Sequence, residues 1–600
     1  MKNLVGVVSA TAAISAVAGS AFGQFTYNGA APADSNWSTG ANWVGGAAPA
    51  AGGGAGIDLT FGPAPNAARR NTVQNHGNPF NLRALTFAAN AGGAYDITSN
   101  PVAAPLRFNG NALIINNTND VSHTINSPIV LNANLGIGGT ANTVNDRSQL
   151  DLIGRITEAA AGLSINIRME ANTDVIFSGN NGGAGGFSGG VAMAGGVLVL
   201  DNNNGLGRGT LTIQRYQPPP GGQGVLTLAM RASDGNTITY PNNTRVLTNA
   251  AWGTNDVTQP TTLRTTGTTT FNNNLTMSLV GGRNHTTALG GDIVVAANTT
   301  LTVNGDTAPT LEKGAIRNRN QAGDRRNDNL GSVLRWDAAG GIAGLAGNVT
   351  ITSATLEVNC NVGTPNARTG AVITAGDGTT AAAVTGSSTV AGPRQGIAAN
   401  TPRYFFNNTG GITAKKNAAF TPGRSPGIVA VNGGFVDMEP GSNFAITLNG
   451  AEPGSGEGFY GQLLLEEGAR MSLLTSPAGE RPVLGIDLQT WSEAGSPGFF
   501  LPLAGMQFTV IDQDSAVAPS LYTAADPFGY GGNMFADFNG AALTEGATFS
   551  NDNLPGGLMF QISYFGGDTG NDVVLTIVPT PGVASVLALG GLAALRRRRC

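Results

Sequence analysis

Residues 175–213 read VIFSGNNGGAGGFSGGVAMAGGVLVLDNNNGLGRGTLTI. Three apolar runs of strand length, Val175-Ile176-Phe177, Val197-Leu198-Val199-Leu200 and Leu211-Thr212-Ile213, are separated by segments made almost wholly of Gly, Asn, Ser and Ala. Each run is strand-sized, and each gap carries turn chemistry. Gly182-Gly183, Gly185-Gly186, Gly189-Gly190 and Gly195-Gly196 supply positive φ without a Cβ clash, while Asn202, Asn203 and Asn204 before Gly205 turn or stack as ladders. A strand, a corner, a strand and another corner make one rung of a parallel β-solenoid. No rung buries its inward side chains alone, so similar neighbours must stack above and below it. The stretch predicts an all-β chain built as a right-handed parallel β-helix.

The segment also resembles the autotransporter-associated β-strand repeat. The resemblance rests on Ser178-Gly179-Asn180, Phe187-x-Gly189-Gly190, Gly196-x-Leu198-x-Leu200 and Leu206-Gly207-x-Gly209-x-Leu211, in that order. Phe187 stands where that family usually has Tyr, and Val191 where it often has Thr. The resemblance implies an extracellular β-helical passenger and no catalytic residue.

Outward from this unit the pattern persists. From Asn81 come Leu82-x-x-Leu85-Thr86-Phe87, Leu106-x-Phe108, Leu113-Ile114-Ile115 and Ile129-Val130-Leu131, punctuated by Asn109-Gly110, Asn116-Asn117 and Asn132-Ala133-Asn134. Similar units return at residues 275–279, 293–303, 349–358 and 428–431. Alternate apolar residues point inward, leaving Thr, Ser and Asn outside. At roughly 22 to 25 residues per rung, residues 70–435 hold about 15 rungs stacked to roughly 70 Å. Thr421-Pro422-Gly423-Arg424-Ser425-Pro426-Gly427 then marks an expected boundary, since Pro and Gly do not continue a central strand. Larger apolar strands follow, and residues 436–577 read as a C-terminal β domain that caps the stack.

Composition narrows the function. Charged residues make up 12% of the chain against roughly 25% in an ordinary soluble domain, and 89 of 600 residues are Gly. With 32 basic and 37 acidic residues the net charge is −5, which gives no basis for a nucleic-acid partner. The two cysteines, Cys360 and Cys600, leave one thiol if the tail is removed, so no internal disulfide is expected.

Both ends carry targeting signals. Lys2, an apolar stretch over residues 4–18 and Ala21-Phe22-Gly23 read as a secretory signal cleaved by signal peptidase between Gly23 and Gln24. Asn36-Trp37 and Asn42-Trp43 open the region after it, 24–69; two indoles so close read as a cap on the first rung, with a sugar-stacking surface as the other use of such rings. At the far end, Val578-Pro579-Thr580-Pro581-Gly582, an apolar segment over 583–595 and Arg596-Arg597-Arg598-Arg599 resemble a PEP-CTERM sorting signal. Thr580 stands where that family usually has Glu. The resemblance implies processing of residues 578–600 by an exosortase-like peptidase after transient membrane contact, and the four arginines obey positive-inside logic.

Chemical signatures are scarce. His76, His123 and His285 are scattered, and no run with metal-ligand or nucleotide-loop spacing occurs, so neither a cofactor nor a metal is expected. Gly566-Gly567-Asp568-Thr569-Gly570-Asn571-Asp572 approaches a calcium nonapeptide but carries an extra residue, and reads as a tight turn. Residues 313–328, with Arg317, Arg319, Asp324, Arg325, Arg326 and Asp328, read as an exposed loop of mixed sign. Glycan-cleaving β-helices need grouped carboxylates, and no solenoid strand here displays two acids. The sequence therefore points to a noncatalytic, secreted or cell-surface solenoid with a structural, adhesion or matrix role. The alternative is a polysaccharide-active enzyme or glycan-binding module on the same scaffold. A groove lined by several carboxylates and basic residues along one face would favour the alternative.

Overall fold

Alternation of apolar and polar residues becomes alternation of buried and half-exposed side chains in strand after strand. Leu275–Val280 and Thr300–Gly305, for example, bury every second residue. A computed structural model describes residues 23–580 apart from 65–66, 140–147, 170–172, 215–227, 234, 236, 254–260, 282–284, 310, 313–314, 317–330, 364–369, 387–402, 408–409, 423–426, 454–457, 489–499, 514–533, 552–553 and 568–569. Among these residues the fold is nearly all β, and the helical turns are two short 3-10 segments, Gly40–Asn42 and Ala67–Arg70.

The expected parallel β-helix is what the chain forms. A first face runs from Gln24–Tyr27 through Asp58–Phe61 and Phe80–Phe87 to Ile293–Val295. A second face of 15 strands runs from Asn71–Gln74 to Arg470–Leu473 without a break in its pairing. Third-face strands join at Thr237–Tyr240 and continue to Val483–Leu488, so rungs from there are three-sided. After the first face ends, a further sheet from Arg403–Asn407 through Ile428–Asn432 and Gln462–Glu466 to Gln507–Gln513 takes its turn in the chain order. The second face alone gives a stack of about 70 Å at ~4.8 Å per strand.

Register keeps like side chains in line. Leu150, Val175, Leu198, Met230, Trp252 and Leu279 occupy one inward column across six successive rungs. All six are at most 1% exposed. Each such side chain taken out of water contributes about 1.5–3 kcal/mol, and only its neighbours above and below make that possible. At the turns of residues 175–213, Gly190 (φ +84°) and Gly207 (φ +69°) use the left-handed region. A Cβ on Gly190 would run into the Thr210 carbonyl, and one on Gly207 would sit 2.6 Å from the Phe187 oxygen.

The stack runs through the expected boundary at 421–427. Gly411–Ala414, Phe435–Met438 and Arg470–Leu473 pair in parallel across it. Pairing turns antiparallel in the C-terminal β region, where Gln507–Gln513, Asp572–Pro579, Leu558–Gly566 and Thr548–Phe549 lie side by side. Gly566 and Gly567 lead into the turn that joins two of these strands; Asp568 lies outside the described residues.

The opposite end is closed by the two Asn-Trp pairs, one for each sheet. Val44 N–H donates to the Thr26 carbonyl at 2.9 Å and Asn28 N–H to the Asn42 carbonyl at 2.9 Å, covering the edge of the first face. Val73 N–H donates to Ser35 O at 3.1 Å and Trp37 N–H to Val73 O at 2.9 Å, covering the second. Asn42 is fully buried and ties the segment together: it accepts from Ala31 N–H at 3.0 Å and donates to Asn36 O at 3.0 Å. The indoles of Trp37 and Trp43 pack edge to face on each other, on Tyr27 and on Phe80, with Phe61 tilted against Trp37, at no more than 2% exposure. Rings so enclosed present no face to a sugar.

Candidate functional site on the second face

Outward positions on a parallel sheet are brought together by register, at sequence separations of one rung. On the second face Gln149 stands beside Asp174, Asp151 beside Ile176, Ile176 beside Val199, and Val199 beside Arg231. Asp201 follows this strand as Asp151 follows Leu150, on the same side. The result is a recess of about 230 Å³ lined by Asp151, Asp174, Asp201, Arg231, Gln149 and Ser178, with Ile176 and Val199 also on its wall. Its sides are the strands Gln149–Leu152, Asp174–Phe177, Gly196–Leu200 and Leu228–Ala232.

The carboxylates differ in setting. Asp174 is 1% exposed, whereas Asp151 is half-buried and Asp201 exposed. Burial pushes the Asp151 carboxyl above its ordinary range; the Ser178 hydroxyl, donating at 2.7 Å, opposes this, and Asp201 adds to it. From strand spacing and rise, the Cα atoms of Asp151 and Asp174 lie roughly 8 Å apart. A carboxyl of raised pKa, further carboxylates and a guanidinium along one groove are groups that bind a glycan or, in paired geometry, cleave it. No strand supplies two of these acids, so reading strands one at a time missed the group. Its signal was present only as Asp151, Asp174 and Asp201 recurring at about one rung.

A second set of charges lies on the third face and is internally matched. Arg335 donates from Nε and Nη2 to Glu357 Oε2 at 3.0 and 2.9 Å, and Arg264 Nη2 lies 3.2 Å from Asp337 Oδ2. Burial raises the Asp337 carboxyl and Arg264 offsets that. The hairpin Leu311–Glu312 and Ala315–Ile316 opens onto the charged stretch 313–328, and Ala315–Ile316 lies against Asn443–Leu448 and Val483–Leu488. Arg317, Arg319, Asp324, Arg325, Arg326 and Asp328 lie outside the described residues.

The histidines are not brought together. His123 is buried, stacked on Phe87 at 4.0 Å; Nδ1 accepts from Tyr95 N–H at 3.0 Å, so Nε2–H donates to Thr118 Oγ1 at 2.9 Å. Burial lowers its pKa to about 3. His285 sits buried beside Thr287 Oγ1 at 2.9 Å, and burial lowers its pKa to about 4. His76 meets the Pro49 carbonyl at 2.7 Å. Cys360 is buried, and its thiol is pushed up to about 12 by desolvation. Among the described residues no three His, Cys, Asp or Glu side chains are grouped as metal ligands.

Gly23 and Gln24 stand at the opening of the first strand, and Val578 and Pro579 at the close of the last, where Met559 pairs with Val578 and Leu558 with Pro579. Signal residues 1–22, Pro581, Gly582, the apolar stretch 583–595 and Arg596, Arg597, Arg598 and Arg599 lie outside the described residues. Among those described, no helix is long and apolar enough to cross a membrane. Compared with known proteins, the chain matches no family profile, no curated protein and no solved structure.

Proposed function

We propose that this chain is a noncatalytic, exported β-solenoid serving as a structural, adhesion or matrix component at the cell surface. The observation that carries the reading is the second face: 15 strands in unbroken pairing, starting beneath a cap that covers both sheet edges. A long, closed stack of low charge is suited to spanning distance. That the first strand opens at Gln24 and the last closes at Pro579 supports export and sorting, since both expected processing sites flank the stack. The partners are then signal peptidase, an exosortase-like peptidase, and extracellular polysaccharide or other surface proteins. Localising tagged protein in its native cell, with and without residues 578–600, tests this. Surface or extracellular protein that stays inside when the tail is deleted supports the reading; a cytoplasmic location of the full chain ends it.

The recess favours a second reading, a glycan-binding module or polysaccharide-active enzyme, because its acids and Arg231 line one face as such a protein requires. Turnover of any member of a broad polysaccharide panel that is lost in Asp151→Asn would establish it. Absence of turnover across the panel leaves the noncatalytic reading in place.

A further inference from the structure

Farther along the second face the outward side chains become uniform. Thr276 pairs with Thr302, Thr302 with Thr350, Thr350 with Thr374, and Thr374 with Thr413, so five threonines stand in one outward column on consecutive rungs. Their strand neighbours Met277, Leu301, Val303, Ile351, Ile373 and Ile412 point into the core, which fixes the threonines on the outside, where each is half-buried. β-Branched residues suit an exposed sheet, and Thr–Thr pairs on neighbouring strands stabilise it. That accounts for threonine as a residue type but not for its hydroxyls. Elsewhere on the solenoid such hydroxyls are used within the chain: Thr98 donates to the Thr72 carbonyl at 3.1 Å and Thr124 to Asp96 Oδ1 at 2.8 Å. Among the described residues none of the five ladder hydroxyls has such a partner.

We infer that this ladder is a docking surface for a neutral, extended polysaccharide laid along the solenoid axis. The inference rests on the surface role proposed above and names the partner. Rungs repeat every ~4.8 Å, so five hydroxyls span about 19 Å with one per rung. That interval is close to the advance of a single sugar ring in an extended chain. Each hydroxyl both donates and accepts, as sugar hydroxyls do. Charge selects the class of glycan. The ladder is uncharged, and so are the flanking positions Thr300, Asn348 and Val372 on one side and Ser278, Asn304 and Thr352 on the other. A polyanionic glycan would find no cation there until Lys415. Single hydroxyl contacts are weak, and the repeat multiplies them on a ligand that repeats likewise.

The test uses the full chain, with microcrystalline cellulose as the neutral probe and a polyuronate gel as the acidic one. Retention on cellulose and not on the polyuronate is expected. Thr302→Val, Thr350→Val and Thr374→Val together keep the β-branched shape and remove three hydroxyls. They should weaken retention by about tenfold or more, with thermal unfolding unchanged. A single Thr350→Lys should weaken it as well, and Asp151→Asn in the recess should not. No retention on cellulose, retention on the polyuronate alone, or full retention by the triple valine variant overturns the ladder as a glycan site. A surface-located protein that fails on cellulose sinks only this inference, whereas a chain that never leaves the cytoplasm sinks the surface role itself.

Discussion

His123 shows how single residues are committed to stability in this fold. Its Nδ1 accepts the Tyr95 amide hydrogen, so the ring is held neutral in one tautomer between Phe87 and Thr118. The folded pKa of about 3 lies below the ordinary value of 6.5. Protonation therefore favours the unfolded chain: the stabilisation is complete above pH 6.5 and is lost as pH falls from there toward 3. At 1.36 kcal/mol per unit the ceiling is roughly 4 to 5 kcal/mol. His285, lowered to about 4, acts in the same direction farther along the stack. Urea midpoints measured from pH 7 to pH 4 should fall steadily, and His123→Gln should flatten part of the slope. A midpoint independent of pH over that range would show that neither ring is held neutral. The carboxylates of the recess act oppositely in one case: Asp151 is raised by burial, so its ionisation costs stability as pH rises through the acid range.

At the scale of elements, the two Asn-Trp pairs do the work that no repeating rung does, because a first rung has nothing beneath it. Trp43→Ala removes a side chain 2% exposed that contacts Phe25, Tyr27 and Trp37, and should cost about 3–5 kcal/mol. The loss should be local, since a stacked repeat couples each rung to its neighbours. Hydrogen exchange should quicken in Gln24–Tyr27 and Asp58–Phe61 while Val349-type core amides near residue 350 stay protected; uniform acceleration along the chain would refute a local cap. Much of this level was legible in the sequence. The apolar runs at 197–200, 211–213, 293–295 and 428–431 lie within observed strands, since a buried strand must be apolar at alternate positions whatever surrounds it. The third face was legible only in part: the unit read at 349–358 takes in its strand Ala354–Val358, whereas earlier strands of that face were missed. Thr261–Thr265 and His285–Leu289 are strands rich in Thr with one or two apolar anchors, so their pattern resembles loop composition. Asn109-Gly110, read as a break, is one: within Leu106–Asn116 the pairing passes from Ile129–Leu131 before it to Leu135–Gly139 after it, with a register shift against Phe80–Phe87 and Gly110 at φ +61°. The recess was hidden for a different reason: its acids are one per strand and meet only through register.

For the whole molecule, parallel stacking of the described strands predicts an elongated particle rich in β structure. Solution scattering should give a maximum dimension well above that of a 600-residue globule, and circular dichroism a β spectrum. A compact particle would contradict the stack. The ends of that stack bear on processing. The last strand, Asp572–Pro579, is held by antiparallel pairs along its length, and Thr580 N–H donates to the Gly557 carbonyl at 2.8 Å. Cleavage within 579–582 would thus leave the pairs from Asp572 to Val578 intact, so release of the tail need not unfold the terminal sheet. Under the proposed sorting role, residues 583–595 would reach only about 20 Å if helical, short of a ~30 Å hydrocarbon core, and would serve as a weak, transient anchor. Under the same proposal, Arg596, Arg597, Arg598 and Arg599 would each resist transfer by roughly 2.5 to 3.5 kcal/mol, and export would halt with the tail still in the membrane. The surface form is therefore expected to end between Pro579 and Gly582. Mass spectrometry of protein released from native cells decides this: a C-terminal peptide ending there is the expected result, and an intact peptide containing Arg596 to Cys600 in the same fraction would exclude tail processing.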